Sequence, residues 1–287
     1  MWQQTYPRDV APYVNLAGTL MPAGEYQAAI ETLLEARRLD PTQPATYVNL
    51  CVAYGALNKI PEAKASALEG LKASPASAWL FHCLHTMTYL EGDEAALARI
   101  EENARRASPA AGLRVDANRL RVLIARGKVR DARRQRPAIE QLARQLRMMP
   151  VLGGAAGPLA QDAALMRMKA VTLDYARLSE EMAGAGEAWS VPVALYAVGE
   201  RAFGDRLFAA QLELYASDTA FAGTEGPLFE AARAMSRGES TEAVNIIDRA
   251  GRFEAAQPML SFMRGRAQYP ANRRLIPRYA VTTGSPG

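Results

Sequence analysis

The sequence predicts an all-α protein, an α-solenoid in which antiparallel helix pairs stack one upon the next. Two observations carry this prediction. The tetrapeptide Tyr-Val-Asn-Leu begins at Tyr13 and again at Tyr47, an interval of 34 residues. Prolines and turn-forming residues recur at the same interval, at Pro41, Pro75 and Pro109 and at Gly24, Asn58 and Gly92. Independent features that share one period indicate a structural repeat.

The first repeat has the pattern of two helices joined by a turn. Tyr13, Leu16, Ala17 and Leu20 are spaced i, i+3, i+4 and i+7, which places them on one face of a first helix. A turn is predicted at Gly24, and the second helix carries Tyr26, Ala29, Ile30, Leu33 and Ala36. Asp40-Pro41 ends it, because proline cannot continue a helix. Such a pair cannot bury its apolar face alone.

The second repeat, 44–77, reproduces this pattern, and the third, 78–112, follows it more loosely. In the third repeat His85 and Glu101 stand where the earlier repeats have small or apolar residues. After Pro109 the period slips, but helices and turns continue to alternate to about residue 266. The predicted turns are at Ala170-Val171, Gly204-Asp205 and Gly238-Glu239.

Thirty-four residues is the period of the tetratricopeptide repeat, which the pattern resembles over 10–77 and, more weakly, to Pro109. That resemblance implies a right-handed superhelix whose concave groove is lined by the first helix of each repeat. The opening 2–9, followed by Tyr-Val-Asn-Leu-Ala, also resembles the tetratricopeptide region that follows the kinase domain in some bacterial serine/threonine receptor kinases. The chain itself carries no glycine-rich loop, His-Arg-Asp or Asp-Phe-Gly of a kinase.

Composition and motifs divide the chain into four parts. Residues 1–149 are predicted to hold the repeats and one degenerate pair, 150–158 a loop that links two halves, and 159–268 further degenerate pairs. Residues 269–287 lack apolar periodicity and are predicted to form an irregular tail. No run of about 18 apolar residues is present. We therefore expect a cytoplasmic protein if Met1 is the true start, and an extracytoplasmic one if a kinase and a membrane segment precede it.

Charge is concentrated in the segment 112–147, which has eleven basic and three acidic residues in a chain of net charge +4. The basic residues are Arg114, Arg119, Arg121, Arg126, Lys128, Arg130, Arg133, Arg134, Arg136, Arg144 and Arg147. No aromatic residue interleaves with them, and they fall on several helical faces, which argues against nucleic-acid binding. A solvated outer surface, or one that meets an acidic protein, is the favoured interpretation.

No motif predicts catalysis, a metal or a cofactor. His82 and His85 flank Cys83 on one helix, but Asp or Glu ligands do not share that face. Cys51 and Cys83 are too few for a disulfide framework. The glycines of 153–157 follow no strand and lack the Lys-Ser/Thr of a phosphate loop.

The predicted binding residues are those that the repeat register places in the concave groove. They are Val14 and Asn15, then Val48, Asn49 and Val52, then Trp79, His82, Thr86 and Tyr89. The two asparagines suit the backbone of an extended peptide, and Trp79 and Tyr89 suit an apolar side chain. Two plainer interpretations remain open: asparagine is common at this position across the repeat family, and Trp79 packs on the next helix.

From these observations the sequence predicts a scaffold or sensor module that binds a protein or peptide in its groove, within a signalling protein if the kinase resemblance holds. The alternative is binding of nucleic acid or of an acidic partner through 112–147. The lysines and arginines that other tetratricopeptide domains use to clamp a C-terminal carboxylate are missing from the matching positions.

Overall fold

The computed structural model describes residue 6 and residues 8–188, 190–251 and 258–268, and within these ranges every regular element is a helix. In chain order the α-helices are α1 (Ala11–Leu20), α2 (Tyr26–Leu39), α3 (Pro44–Ala56), α4 (Ile60–Ala73), α5 (Ala78–Glu91), α6 (Glu94–Ala107), α7 (Pro109–Ala125), α8 (Val129–Gln145), α9 (Met149–Leu165), α10 (Lys169–Ala183), α11 (Val191–Ala197), α12 (Arg201–Leu214), α13 (Thr219–Gly223), α14 (Glu225–Ser236), α15 (Ser240–Ala250) and α16 (Pro258–Gln268). A short 3-10 turn, Ala185–Glu187, lies between α10 and α11.

Successive helices pack in pairs, and the pairs stack into an α-solenoid, as predicted. The first helices α1, α3, α5, α7, α9, α11 and α14 each pack on the next one in that series. Their partners α2, α4, α6, α8, α10, α12 and α15 complete the pairs. Because each pair contacts mainly its neighbours, the buried apolar side chains form a row of clusters along the array.

Every turn within a pair contains a residue with positive φ. Gly24, Asn58 and Gly92 have φ values of 79°, 57° and 77°, which confirms the three predicted turns. Glycine and asparagine adopt this conformation at the least steric cost. The later pairs turn in the same way at Gly127, Arg167, Gly199 and Gly238.

The segment 150–158, predicted as a loop, is instead part of helix α9, and the prediction of a linker was wrong. Pro150 lies in the first turn, where its missing N–H is not needed. Gly153 permits a close approach of α10, since a Cβ at this position would lie 2.8 Å from the backbone nitrogen of Ala183. Ser179 Oγ donates a hydrogen bond to the Gly153 carbonyl oxygen at 3.0 Å. The division of the chain into 1–149 and 159–268 stays a prediction without this linker.

Two predicted turns were also misplaced. The turn expected at Ala170-Val171 lies at Arg167, which has φ 58° although it is not glycine. Gly204, assigned to a turn, lies inside α12, where a Cβ would come within 2.8 Å of the Tyr196 ring. The turn at Gly238 is confirmed. The predicted tail, 269–287, lies outside the described residues.

A disulfide bond joins Cys51 of α3 to Cys83 of α5, with Cα atoms 6.5 Å apart. Two cysteines are too few for a disulfide framework, and a bond between them was not predicted. They do pair, because stacking of consecutive first helices brings positions 32 residues apart into contact. Among the described helices, none combines the length and apolarity needed to span a bilayer.

Candidate functional site

The nine predicted groove residues all lie on first helices, and the hydrogen bond and ring contact described among them are both on α5. Val14 and Asn15 are on α1, and Val48, Asn49 and Val52 are on α3. Trp79, His82, Thr86 and Tyr89 are on α5. Thr86 Oγ1 donates a hydrogen bond to the His82 carbonyl oxygen at 2.9 Å. Val52 is 46% exposed, so the α3 part of the surface is open.

Trp79 and His82 form a cluster with Arg114, which was not among the predicted binding residues. Ser108 Oγ accepts a hydrogen bond from the Ala111 N–H at 3.1 Å and so caps α7, which carries Arg114 against α5. The Arg114 guanidinium carbon lies 3.5 Å from the Trp79 ring centroid. The rings of Trp79 and His82 meet edge to face at 6.1 Å. Trp79 therefore packs on the next first helix, yet it is 55% exposed.

The polar atoms of this cluster are only partly satisfied. His82 Nδ1 and Arg114 Nε are buried and have no hydrogen-bond partner among the described residues. Burial, with the positive charge of Arg114 as a second cause, lowers the pKa of His82 to about 4, so that its ring is neutral at pH 7. Burial also lowers the pKa of Arg114, but a guanidinium keeps its proton in proteins. In the part of the chain that the structure describes, no carboxylate forms an ion pair with Arg114. It is a partly buried cation with no counter-ion among the residues that the structure describes.

Behind the cluster, His85 is fully buried in a chain of hydrogen bonds that joins α5 to α7. Asn118 Nδ2 donates to His85 Nδ1 at 2.9 Å and to Thr86 Oγ1 at 3.0 Å. Because the amide N–H donates, Nδ1 must accept, and the proton of the neutral ring is on Nε2. Nε2 lies 3.4 Å from Glu101 Oε1 on α6.

Glu101 continues the chain of hydrogen bonds to the basic residues of α6 and α7. Its Oε2 accepts a hydrogen bond from Arg119 Nη1 at 3.1 Å. Burial opposes ionisation of Glu101, but the hydrogen bond with His85 and the charges of Arg119 and Arg105 outweigh it and hold the pKa of Glu101 below its usual value. The two residues that break the repeat pattern, His85 and Glu101, are thus partners of each other.

A cavity of about 370 Å³ opens between the ends of α5, α7 and α9. It is lined by Thr86, Tyr89 and Leu90 of α5, by Asn118, Arg121, Val122 and Ala125 of α7, and by Asp162, Leu165 and Met166 at the end of α9. Leu90 and Leu165 are 58% and 45% exposed. Arg121 Nε donates to Asp162 Oδ2 at 2.7 Å, so the charges at the polar side of the cavity neutralise each other. The cavity has the size and apolar lining of a site for one or two large side chains.

The basic segment 112–147 is largely neutralised by neighbouring helices. Six of its eleven basic residues form ion pairs with carboxylates, namely Arg119, Arg121, Arg126, Arg134, Arg136 and Arg144. Most of the carboxylates belong to α6, α9 and α10, outside the segment. Glu94 and Glu101, from the acidic stretch just before it, are among them.

Sequence reasoning missed the α7 and α9 walls of the site because the 34-residue register was projected only as far as the third repeat. A signal was present in α7. The apolar stripe Leu113, Ala117, Leu120 and Ile124 is buried. Each residue that follows a member of this stripe, namely Arg114, Asn118, Arg121 and Ala125, belongs to a second stripe that contacts Trp79 or lines the cavity. Extending the helical periodicity past the slip in the repeat would have found it. Within the described ranges, no group of three His, Cys, Asp or Glu side chains is arranged to hold a metal ion.

Comparisons with known proteins assign no family to this chain. No family model matches it, and no curated protein matches it. Among solved structures, the assembly chaperone of RpL4, Acl4, matches with a TM-score of 0.37 and 14% sequence identity, over 91% of this chain and 96% of that chain. A TM-score of this size carries no argument, so the assignment of function depends on the site itself.

Proposed function

We propose that this chain is a tetratricopeptide-type interaction module that binds an extended segment of a protein partner along the surface of its first helices. The proposal includes no catalytic step and no cofactor. The resemblance of the N-terminal repeats to those of bacterial receptor kinases makes a role in signalling part of the same proposal. The nine predicted groove residues, from Val14 to Tyr89, are its proposed contact residues.

The observation that carries the proposal is that exposed apolar side chains of the first helices adjoin the cavity and the Arg114 cation. Val52 of α3, Trp79 and Leu90 of α5 and Leu165 of α9 are each about half exposed. Helix α3 packs on α5, and α7 packs between α5 and α9. Leu90 and Leu165 line the cavity, and Trp79 contacts Arg114, a cation without a counter-ion among the described residues. Apolar surface next to a few unsatisfied polar groups is typical of binding sites.

The alternative, binding of nucleic acid through 112–147, has less support. Phosphate binding needs several free cations on one face, whereas most of these arginines already pair with carboxylates. We expect no affinity for single- or double-stranded nucleic acid at low salt. A salt titration tests this, because binding that weakens steeply with salt would favour the alternative.

Site-specific photo-crosslinking in cells tests the proposed surface. A photoreactive phenylalanine analogue is placed at Val52 or Leu90, on the first helices, and at Leu68 of α4 as the matched control. Leu68 is 50% exposed, similar to Val52, but lies on a second helix. We expect the same protein partner to be crosslinked from Val52 and Leu90 and not from Leu68. Crosslinking from Leu68 with equal yield would overturn the proposal.

A further inference from the structure

The groove holds two binding features on one helix, the Arg114 cation and the apolar cavity. We propose that the partner segment is an extended peptide in which an acidic side chain meets Arg114 and an apolar side chain three or four residues away enters the cavity between α5, α7 and α9. This inference rests on the proposed function and names the chemistry of its partner.

The charge of the ligand follows from Arg114. Its guanidinium lies against the exposed Trp79 ring at 3.5 Å, and no carboxylate of the described chain neutralises it. By contrast Arg121, two turns further along α7, is already paired with Asp162. His82 beside Arg114 adds no charge, since its ring is neutral at pH 7. The groove therefore offers one partly desolvated positive charge, and a carboxylate is the peptide group that complements it.

The apolar part of the ligand follows from the cavity. Leu90, Leu165 and Val122 form apolar walls in a space of about 370 Å³. The ion pair between Arg121 and Asp162 satisfies the charges at its edge. A leucine or phenylalanine side chain that fills this space removes its own surface and that of the two exposed leucines from water.

The spacing follows from helix geometry. Arg114 and the α7 residues that line the cavity, Asn118 to Ala125, lie on one side of one helix. With a rise of about 1.5 Å per residue, the cation and the centre of the cavity are roughly 11 Å apart along α7. An extended chain covers this distance in about three to four residues.

The C-terminal segment of this chain is not the occupant that this chemistry selects. Residues 269–287 contain three arginines and no acidic residue. They lack the charge that would complement Arg114. A segment of another protein, with one acidic and one apolar side chain, fits both features.

Fluorescence anisotropy with dye-labelled Gly/Ser decapeptides tests the inference on the full chain. The probes carry one Phe and one Glu separated by three or four positions, in either order, and matched probes carry Gln in place of Glu. We expect the preferred Glu peptide to bind at least tenfold more tightly than its Gln counterpart. Arg114→Gln is expected to abolish this difference. Arg130→Gln, which removes an exposed arginine from α8 without a described contact, is expected to preserve it.

A second variant pair tests the cavity. Ala125→Phe places a ring in the cavity, and the control Ala138→Phe places the same ring on the exposed side of α8. We expect only Ala125→Phe to weaken binding of all probes, by tenfold or more.

Equal affinity for Glu and Gln peptides, or an equal effect of Arg114→Gln and Arg130→Gln, would refute the acidic ligand. If no probe binds while Val52 and Leu90 still crosslink a partner, this inference fails and the proposed function stands.

Discussion

The first two helix pairs bury apolar side chains and the hydroxyls of Thr46 and Ser66, whereas the next two also enclose an imidazole, an amide and a carboxylate. The first pair packs Ala17, Ala29, Leu33 and other apolar residues, all fully or almost fully buried. The third and fourth pairs bury His85 and Asn118 and half-bury Glu101. The first two pairs, the regular pairs, keep the 34-residue interval, as does the third, and the interval slips after Pro109, at the start of the fourth pair. The proposed cation site lies in the third and fourth pairs, the central pairs, and the cavity lies between them and α9.

The buried polar groups of the central pairs indicate which part of the solenoid forms the binding site. A buried polar group destabilises a protein unless its hydrogen bonds are satisfied, and a network of such groups fixes one arrangement of the helices around it. The network from Asn118 through His85 to Glu101 holds α5, α6 and α7 together immediately behind Trp79 and Thr86. Places where the sequence breaks its own local pattern are often functional sites. We interpret the central network as the support of the groove.

The largest expected effect concerns the disulfide that ties the regular part to the central part. Cys51 and Cys83 are separated by 32 residues in sequence. A crosslink of this span restricts the unfolded chain and adds about 3–4 kcal/mol of stability. We expect reduction under native conditions to lower the free energy of unfolding by that amount, and the urea midpoint with it. Urea titration with and without a phosphine reductant measures it.

The matched control is the double variant Cys51→Ala, Cys83→Ala, which should have the stability of the reduced protein and no response to reductant. If the wild type and this variant unfold at the same urea concentration in the absence of reductant, the bridge does not link the two regions in solution.

The second effect is a loss of stability in acid that originates in the central pairs. Burial lowers the pKa of folded His82 to about 4, against about 6.5 for an exposed histidine. Below pH 6.5 the unfolded chain therefore binds a proton that the folded chain does not. The free energy of unfolding consequently decreases as the pH is lowered. Between pH 6.5 and 4 the loss from this residue is roughly 3 kcal/mol. Urea titrations at several pH values measure it.

His82→Gln removes the titrating group and should flatten the pH dependence over that window. Exposed Asp and Glu residues contribute equally to both proteins, so the difference between them isolates His82. Parallel curves for wild type and variant would mean that His82 is hydrated and that its site is more open than described.

The sequence predicted the turns and helices of the regular pairs better than those of the later pairs, and the reasons are physical. The turns at Gly24, Asn58 and Gly92 were predicted because positive φ favours glycine and asparagine. The helices of the regular pairs were predicted from the spacing of their apolar residues. The turn at Arg167 was missed because an arginine adopts the same φ there. The glycines near Gly153 indicated a loop, since close packing of α10 is not visible in sequence.

The site was predicted only in part for a related reason. Register placed Trp79 and His82 on the groove side of a helix, but the contact of Trp79 with Arg114 depends on how α7 packs beside α5. His85 and Glu101 were recognised as exceptions to the repeat. Their pairing required the structure, because a hydrogen bond between residues 16 apart is set by the angle at which two helices meet.

The third prediction compares two asparagines, one in each region. Asn118→Ala leaves His85 Nδ1 and Thr86 Oγ1 without their donor, and the loss of buried hydrogen bonds is expected to cost about 2 kcal/mol. Asn49→Ala, at a half-buried residue of α3 for which no side-chain hydrogen bond is described, is expected to change stability by less than about 0.5 kcal/mol. Urea titration measures the free energy of unfolding of both variants. Similar losses of this free energy would show that the central network has no special role in stability.

The smallest effect distinguishes two adjacent glycines of α9, just beyond the central pairs. A Cβ at Gly153 would lie 2.8 Å from the backbone nitrogen of Ala183, so that α10 must move, whereas a Cβ at Gly154 meets nothing within 4 Å. Alanine stabilises a helix by about 0.5–1 kcal/mol relative to glycine. We therefore expect Gly154→Ala to raise stability by about that amount. Gly153→Ala should lower it by about 1–2 kcal/mol, because the cost of the forced shift exceeds the gain in helix propensity.

Thermal unfolding of the two variants under one condition compares their stabilities directly. If both alanines stabilise the protein, α9 and α10 pack less closely at Gly153 than described.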